Sequence, residues 1–276
     1  MEIKRFNNII DFYNFNREFI EVDRMLNIFL IRKIDEVFRE ETLLHKSFNI
    51  ISENTHLAVL LITDMCLIYA NQIAEELIPI LSKELEFHRF LRYTFAGNKQ
   101  TIESLLNYNN AEYSIQKHLI IYKCHKTCSS FKCSNGNMQL ASIDELDTLI
   151  RFNISFKKEY NAEELSYEGA RNFILSGIEN KNLYIWKSQN QLCAIAQVIN
   201  KEENDYPEIG HIYSESKLRN NGFASSLVHR LTNSLLDSKN KICMLYTDGT
   251  NLASNRAFTK IGYVKTGEYM MCFKEK

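Results

Sequence analysis

The chain has 276 residues, of which 45% are hydrophobic and 24% charged, and a formal net charge of −1, which suits a globular protein of one large or two modest domains. Residues 1–135 carry 16 Lys/Arg and 17 Asp/Glu, and the remainder carries 17 of each, so neither part has the basic excess of a nucleic-acid-binding protein. The longest apolar run, HLAVLLITDMCLIYA, is too short to span a bilayer, and we therefore expect no nucleic acid and no membrane among the partners.

The cysteine content and the first residues predict where the protein is found. The seven cysteines are an odd number, they are spread through the chain, and several lie in apolar, strand-like runs. This usage is typical of reduced thiols. The opening stretch MEIKRFNNIIDF lacks the uninterrupted apolar core of a signal peptide. Both observations predict a cytoplasmic protein.

The first part of the chain begins with a helical pattern and continues with alternating strands and helices. Apolar residues recur at spacings of three and four over residues 6–52, which predicts helices there. The aromatic stripe of Phe12, Phe15 and Phe19 indicates an interdomain or dimer face, so a homodimer is one expected state. The stretches predicted as strands are LAVLLIT, MCLIYAN, LRYTFA and YSIQKHLIIYK, and those predicted as helices are QIAEELIPILSKELEF and KQTIESLLNY.

The best domain boundary is the polar, turn-rich stretch CSSFKCSNGN at residues 128–137. It predicts an N-terminal domain of residues 1–135 and a second domain of residues 136–276. The same stretch belongs to CHKTCSSFKC, which brings Cys124, His125, Cys128 and Cys133 within ten residues. A zinc site needs better ligand spacing than this, because no C-x-x-C pair is present, so free thiols at a strand end are the preferred interpretation.

The second part has a clear α/β pattern. Its predicted strands are MQLAS, LYIWKS, QLCAIAQVI, EIGHIYS, KICMLYT and YVKTGEYMMCF, and its predicted helices are IDELDTLIRFNISF, EELSYEGARNFILSG, residues 222–237 and NLASNRAFTKI. From QLCAIAQVI onward the order is strand, strand, helix, strand, helix, strand. The first part repeats that order, which predicts an internal duplication, with chance agreement as the alternative.

The stretch KLRNNGFASSL, residues 217–227, joins a strand to a helix through a loop with a single glycine. The first N–H groups of a helix have no partner in the helix, and their partial positive charge suits a phosphate group. Gly222 removes the Cβ that would block a close approach, and Ala224 keeps the next contact small. An ordinary helix-capping turn explains the same residues, so the loop alone leaves both interpretations open.

Two segments resemble motifs of the GNAT N-acetyltransferases. RNNGFA matches the family's Arg/Gln-x-x-Gly-x-Gly/Ala signature, and NLASNRAFTKIGY resembles its second conserved segment, in which an asparagine-led helix ends in a Gly-aromatic pair. LYTDGTNLASN and IGY resemble a bacterial subgroup that has an extra N-terminal half. The resemblance implies an α/β (α+β) fold with a mixed central sheet flanked by helices in residues 136–276. It implies a degenerate GNAT-like half before that.

The resemblance implies acetyl-CoA as co-substrate and assigns its binding residues. The pyrophosphate is expected to lie on the backbone amides of Leu218, Asn221, Gly222, Phe223, Ala224 and Ser225, with Arg219 near the charged oxygens. The strand GHIYS is expected to bind the pantetheine arm through its main chain, and an N–H near Ile212 or Tyr213 is expected to polarise the thioester carbonyl. Asn251 and Asn255 match positions that contact the cofactor arm. The alternatives are a helix N-cap for Asn251 and a solvent-exposed side chain for Asn255.

Acetyl transfer to an amine needs a group that removes the proton of the amine. Glu208 starts the strand before the loop, where several relatives carry a glutamate base; the alternative is a charged residue that is simply solvated at a strand edge. Period-two alternation predicts that His211 faces the opposite side. Phe258 occupies a position where the family commonly has a tyrosine that protonates the leaving sulfur. Either Tyr246 or Tyr263 replaces it, or the thiolate leaves unaided, or the domain binds acyl-CoA without turnover.

The resemblance therefore predicts an acetyl-CoA-dependent N-acyltransferase whose acceptor is an amine-bearing small molecule or peptide. The alternative is a non-catalytic acyl-CoA sensor. The first half differs at the corresponding loop, IYANQIAEEL, which has no glycine and places Glu75 and Glu76 at the start of the following helix. These carboxylates would repel a pyrophosphate, so we expect no CoA binding by the first half.

Overall fold

The computed structural model of the protein describes residues 1–72, 75–90, 92–161, 164–199, 206–238 and 242–273. The chain divides into two compact units. Unit 1 contains Met1–Ile121, Asp248–Thr250 and Thr266–Lys276, and unit 2 contains Tyr122–Thr247 and Asn251–Lys265. No helix in these described ranges is long and apolar enough to cross a membrane.

Unit 1 combines a sheet with four α-helices among the described residues. Its helices are α1 (Ile9–Val22), α2 (Ile28–Phe38), α3 (Ile78–Leu85) and α4 (Lys99–Tyr108). Its strands are β1 (Glu2–Phe6), β2 (Leu44–Ile51), β3 (His56–Ile62), β4 (Met65–Ala70), β5 (Thr94–Asn98), most of β6 (Ser114–Cys124) and most of β12 (Val264–Phe273). They form a mixed sheet in the order β1-β2-β3-β4-β5-β12-β6.

The helical prediction for residues 6–52 is correct for α1 and α2 and wrong for Leu44–Ile51, which forms β2. β2 lies between β1 and β3, where antiparallel pairing satisfies its backbone groups on both edges. Phe48 and Ile50 are fully buried in the core of unit 1. Burial of alternate apolar side chains therefore favours a strand over the helix that the local spacing suggested.

Unit 2 contains four helices and five strands within the described residues. The strands are β7 (Asn137–Leu140), β8 (Leu183–Ser188), β9 (Gln191–Ile199), β10 (Glu208–Tyr213) and β11 (Cys243–Asp248). The helices are α5 (Leu146–Asn161), α6 (Tyr167–Glu179), α7 (Phe223–Asp237) and α8 (Leu252–Ile261). The sheet order is β11-β10-β9-β8-β7, with β10 and β11 parallel and the other neighbours antiparallel. The expected mixed α/β fold is thus confirmed.

The units do not follow the boundary that we predicted at residues 135 and 136. Most of the C-terminal strand β12 belongs to unit 1, because Tyr269–Phe273 pair with Asn98–Thr94 of β5. The turn-rich stretch 128–137 lies inside unit 2. A polar composition marks a surface segment, but strand pairing, which is long-range, decides the unit to which a segment belongs.

Candidate functional site

The loop before α7 presents an open helix N-terminus. Gly222 is the N-cap residue, its backbone is left-handed with φ 74° and ψ 10°, and no side chain caps the helix. The first helical hydrogen bond runs from the amide of Ser226 to the carbonyl oxygen of Gly222, at 2.9 Å. The amides of Phe223, Ala224 and Ser225 precede it and, within the described part of the chain, donate no backbone hydrogen bond. Residues 219–222 are exposed, so the loop is open to a ligand.

Two groups that we expected at the pyrophosphate are engaged inside the protein. The amide of Leu218 donates to the carbonyl oxygen of Glu215 at 2.8 Å. The guanidinium of Arg219 donates from Nε to the carbonyl oxygen of Ser214 at 3.0 Å and contacts the carboxylate of Glu159. Arg219 therefore braces the loop from within.

Asn221 has the same bracing function on the other side of the loop. Its amide nitrogen Nδ2 donates to the carbonyl oxygens of Leu218 and Arg219, at 3.2 and 3.1 Å. Its own carbonyl oxygen accepts a hydrogen bond of 2.5 Å from the hydroxyl of Ser134. The amide of Ser134 in turn donates to Oγ of Ser226 at 2.8 Å. Sequence reasoning missed Ser134, because it lies in the polar stretch taken as the boundary, and no local signal ties it to the loop.

A wedge opens between β10 and β11, just before this loop. The parallel pair has one register contact within the described residues, Glu208 with Met244, and the amide of Met244 donates to the carbonyl oxygen of Pro207 at 3.0 Å. Beyond Glu208 the two strands part. The backbone edge of β10 toward β11 is therefore available to an extended ligand, in the way that a sheet edge accepts an added strand.

The equivalent strands of unit 1 remain paired. β4 and β5 are also parallel, but four consecutive register pairs join them, from Met65–Thr94 to Ile68–Gly97. Gly97 makes this approach possible, because a Cβ there would lie 1.8 Å from the carbonyl oxygen of Ile68. The order of strands and helices that predicted a duplication is present in both parts of the chain, whereas the wedge is a feature of unit 2.

A β-bulge interrupts β10 at the position where we expected the thioester carbonyl. Gly210 pairs with Gln197 and Tyr213 with Ile195, so His211 and Ile212 together oppose one residue of β9. His211 has a left-handed backbone with φ 52°. Such a bulge takes two amides out of the regular ladder and changes their direction, which is what a main-chain donor to a ligand requires.

The bulge also changes which side chains share a face. Glu208 and Tyr213 pair with Ile199 and Ile195, which lie on one face of β9, so they share that face although they are five positions apart. The ring of His211 lies 4.2 Å from that of Phe156, which also contacts Tyr213. The prediction that His211 and Glu208 face opposite sides is therefore wrong, because regular alternation does not survive the extra residue.

His211 is held as a neutral imidazole. Phe156 and Phe173 enclose its ring, with centroid distances of 4.2 and 4.6 Å, and its Nε2 has no partner among the described residues. Burial, with a smaller contribution from Lys157, lowers the pKa of His211 to about 4. Glu208 is 7% exposed on the same face.

The two candidate tyrosines lie in different places. Tyr263 is fully buried, and its hydroxyl lies 2.7 Å from Oγ1 of Thr232 and 3.3 Å from the Cys243 thiol. Burial raises the pKa of Tyr263 well above its usual value. Because its hydroxyl is buried in the core, Tyr263 is not placed to protonate a leaving thiolate. Tyr246 is half-buried on β11, on the face opposite Cys243 and shared with Met244.

Phe258 and the two asparagines lie on α8. Phe258 is buried next to Tyr122 and Tyr263, with ring centroids 6.3 and 6.2 Å away. The side chain of Asn251 caps α8 by accepting from the amide of Ser254 at 3.0 Å. Asn255 is half-buried rather than solvated, because its Nδ2 donates to the carbonyl oxygen of Asn251 and its Oδ1 accepts from the hydroxyl of Tyr122.

The four residues of the zinc hypothesis are not gathered into a ligand set. Among the described residues, no group of three or more His, Cys, Asp and Glu side chains could hold a metal ion. The Cys128 thiol lies 3.1 Å from the hydroxyl of Ser130, and the Cys133 thiol lies 3.6 Å from Nδ1 of His229. Sequence reasoning did not identify the contact with His229.

Comparisons with known proteins agree with this geometry. The family described as FR47-like protein matches residues 186–272, which contain β9, the wedge, the loop, α7 and α8. The match covers less than half of the chain, so it shows a likeness of these residues to the FR47-like family. No curated protein matches the sequence.

Solved structures share the fold of this chain over most of its length. A GNAT-family acetyltransferase from Colwellia psychrerythraea aligns with a TM-score of 0.55 and 14% identity, covering 100% of both chains. A GCN5-related N-acetyltransferase from Sphaerobacter thermophilus aligns with a TM-score of 0.56 and 8% identity over 87% of this chain and 84% of its own. A Drosophila protein aligns with a TM-score of 0.52 and 10% identity over 99% and 98%. At these identities the likeness concerns the fold.

Proposed function

We propose that this protein is a GNAT-type enzyme that transfers an acetyl group from acetyl-CoA directly to an amine. The single observation that carries the proposal is the uncapped start of α7 at Gly222, placed next to the wedge between β10 and β11. The helix start supplies hydrogen-bond donors and partial positive charge for a diphosphate, and the wedge supplies a free strand edge for a pantetheine arm. A single extended ligand with a diphosphate and a pantetheine arm would occupy the helix start and the wedge at the same time.

The reacting groups lie on the face that carries Glu208. A residue of β11 in register with Glu208 shares its face, and Tyr246 follows Met244 by two positions. Glu208 therefore receives the proton of the attacking amine, whose nitrogen bonds to the thioester carbon. The amides at the bulge, near Ile212, stabilise the oxyanion that forms. The C–S bond then breaks, and Tyr246 protonates the departing thiolate.

The acceptor is an amine-bearing small molecule or peptide, which approaches from the side of α5 and α6. On this side Phe156 and Phe173 pack against the ring of neutral His211 and form an apolar lining beside Glu208. We infer that unit 1 binds no CoA. The closed pairing of β4 and β5 supports this, as does Glu75, which receives a hydrogen bond of 2.8 Å from Ser104. Ile73 and Ala74 of the corresponding loop lie outside the described residues.

Thiol release tests the proposal. The full chain is incubated with acetyl-CoA and a panel of aromatic, aliphatic and peptide amines, and free CoA thiol is measured alongside acetylated amine by mass spectrometry. We expect equal amounts of thiol and acetyl-amine, with thermal stabilisation by CoA. Stabilisation without turnover on any amine would favour the acyl-CoA sensor, which the buried Phe258 supports. Absence of stabilisation would exclude both.

A further inference from the structure

The segment of residues 126–136, called here the loop strap, packs on α7 and α8. Thr127 Oγ1 donates to the side-chain oxygen of Asn233 at 2.5 Å, and the amide of Cys128 donates to the carbonyl oxygen of Ile261 at 2.7 Å. Phe131 stacks on the imidazole of His229, a residue of α7, with centroids 4.6 Å apart and planes at 18°. The loop strap is therefore an ordered part of unit 2.

Cys133 and His229 form a thiol–imidazole pair inside this arrangement. The thiol sulfur lies 3.6 Å from Nδ1 of His229. The imidazole also forms a hydrogen bond with the backbone of Cys128. A neutral imidazole has one donor and one acceptor, so a ring that donates to the Cys128 carbonyl keeps the other nitrogen as an acceptor for the thiol. Burial lowers the pKa of His229 and so favours the neutral imidazole.

The accessibility of the thiols separates Cys133 from most of the others. Cys133 and Cys128 are half-exposed, whereas the remaining cysteines are buried, namely Cys66, Cys124, Cys193, Cys243 and Cys272. Hydrogen bonds from Ser130 lower the pKa of Cys128, so that thiol is an internal competitor. Cys128 lies beside the hydroxyl of Ser130, whereas Cys133 lies beside the imidazole of His229, a base that can take the thiol proton during attack.

The residue after Cys133 contacts the candidate phosphate loop on both sides of Gly222. Ser134 donates from its hydroxyl to the carbonyl oxygen of Asn221 and from its amide to Oγ of Ser226. Ser226 lies in the first turn of α7. A bulky group attached to Cys133 would therefore displace the residue that ties the loop strap to the loop.

We propose that Cys133 is a modification site that reacts with low-molecular-weight disulfides, with His229 as the base. The Cys133 sulfur attacks one sulfur of the disulfide, a new S–S bond forms, and the old S–S bond breaks. The thiol proton passes to Nδ1 of His229, and the departing thiolate recovers a proton from solvent. Modification moves Ser134 and weakens ligand binding at Gly222. This second effect depends on the proposed function, whereas the reactivity does not.

Site-resolved labelling tests the reactivity. The folded full chain reacts with glutathione disulfide for increasing times, and each cysteine peptide is quantified by mass spectrometry. We expect Cys133 to be modified before Cys128, and the rate at Cys133 to fall about 100-fold or more in His229→Gln. That variant keeps a donor for the Cys128 carbonyl and removes the base. The exposed His45, changed to Gln, is the matched control and is expected to react at the original rate.

Two results would overturn the reactivity. One is faster modification of Cys128 than of Cys133, which would mean that the fraction of thiolate alone determines which cysteine reacts first. The other is an unchanged Cys133 rate in His229→Gln, provided that its melting curve shows a folded protein. The Cys128→Ser variant should be modified at Cys133 at the original rate. Loss of labelling at Cys133 in this variant would contradict the proposal, because it would show that Cys133 reacts through a disulfide with Cys128.

Thermal stabilisation by CoA tests the effect on the loop. We expect modified protein to lose most of the CoA-dependent rise in Tm and to regain it after reduction with dithiothreitol. Cys133→Ser, treated in the same way, should keep its response. A full response in the modified protein would disprove the effect on the loop. If unmodified protein shows no response to CoA, the proposed function fails, while the labelling rates still decide the thiol chemistry.

Discussion

Ser134 and Asn221 are 87 residues apart in the chain, and the hydroxyl of one donates to the carbonyl oxygen of the other at 2.5 Å. Asn221 directly precedes Gly222, where α7 begins. The loop strap therefore fixes the backbone from which the helix amides emerge. A neutral hydrogen bond of this kind contributes about 1 kcal/mol to stability.

Ser134→Ala is expected to destabilise the protein by about 1 kcal/mol. It should also weaken CoA binding several-fold, because the loop before α7 loses its tie. Chemical denaturation and calorimetric titration measure the two effects. Ser129 is exposed in the same segment, so Ser129→Ala should leave both quantities unchanged. Equal stability and equal CoA affinity of the two variants would show that Ser134 does not support the loop before α7.

Gly222→Val should abolish CoA binding. A β-branched residue is strained at φ 74°, at a cost of roughly 1–2 kcal/mol, and its Cβ would meet Ser134 Oγ at 2.8 Å. Titration of the original protein should give one CoA per chain, since unit 1 keeps its strands paired. Asn220 also has a left-handed backbone, with φ 64°, so Asn220→Gly is the control and should bind normally. Two CoA molecules per chain would contradict the assignment of unit 1.

Glu208→Gln should reduce kcat by about 100-fold or more, because the amide cannot accept the amine proton. CoA affinity should stay within a factor of about two, since the strand edge and the helix start are unchanged. Steady-state kinetics and titration separate the two. The nearby Glu215 pairs with Lys217 at the surface, and Glu215→Gln should retain full turnover. Full activity in Glu208→Gln would assign the base elsewhere, with His211 as the next candidate.

The two tyrosines should respond in opposite ways to loss of their hydroxyls. Tyr246→Phe should lower kcat with little effect on stability, because its side chain shares the face of Glu208. Tyr263→Phe should leave kcat intact and destabilise the fold by about 1 kcal/mol, because its hydroxyl bonds to Thr232 in the core. Paired measurement of kcat and the denaturation midpoint distinguishes them. Lowered kcat in Tyr263→Phe at unchanged stability would reverse the assignment.

Stability should decrease as the pH falls from about 6.5 to about 4. The pKa of His211 is lowered from 6.5 to about 4, so between these values the unfolded chain binds a proton that the native state excludes. The full loss of stability from His211 is roughly 3 kcal/mol at low pH. No stability is lost above pH 6.5, where His211 is neutral in both the native and the unfolded state. Burial lowers the pKa of His56 and His229 in the same direction.

The contribution of His211 is isolated by substitution. The free energy of unfolding of His211→Phe should depend less on pH in this window than that of the original chain. His45→Phe, at an exposed position, should keep the original slope. Parallel slopes for all three proteins would show that another group titrates there.

Local patterns were sufficient for most elements of unit 2. The predicted strands LYIWKS and QLCAIAQVI form β8 and β9, joined by Gln189 and Asn190 with positive φ values, and α7 begins directly after its N-cap Gly222. Both depend on near neighbours, where backbone preference and side-chain period act directly. β2 was mispredicted as helix, because pairing with strands distant in the chain overrides the local spacing of apolar residues.

By itself, the sequence determined the order of strands and helices from β7 onward and the position of the glycine loop before α7. These follow from residues within a few positions of each other. Only the tertiary structure decided that β10 and β11 part after Glu208, that the bulge turns His211 to the face of Glu208, and that Ser134 and Cys133 lie beside α7. The physical reason is that strand register and side-chain contacts between remote segments are set by packing of the whole unit, which leaves no trace in a short stretch of sequence.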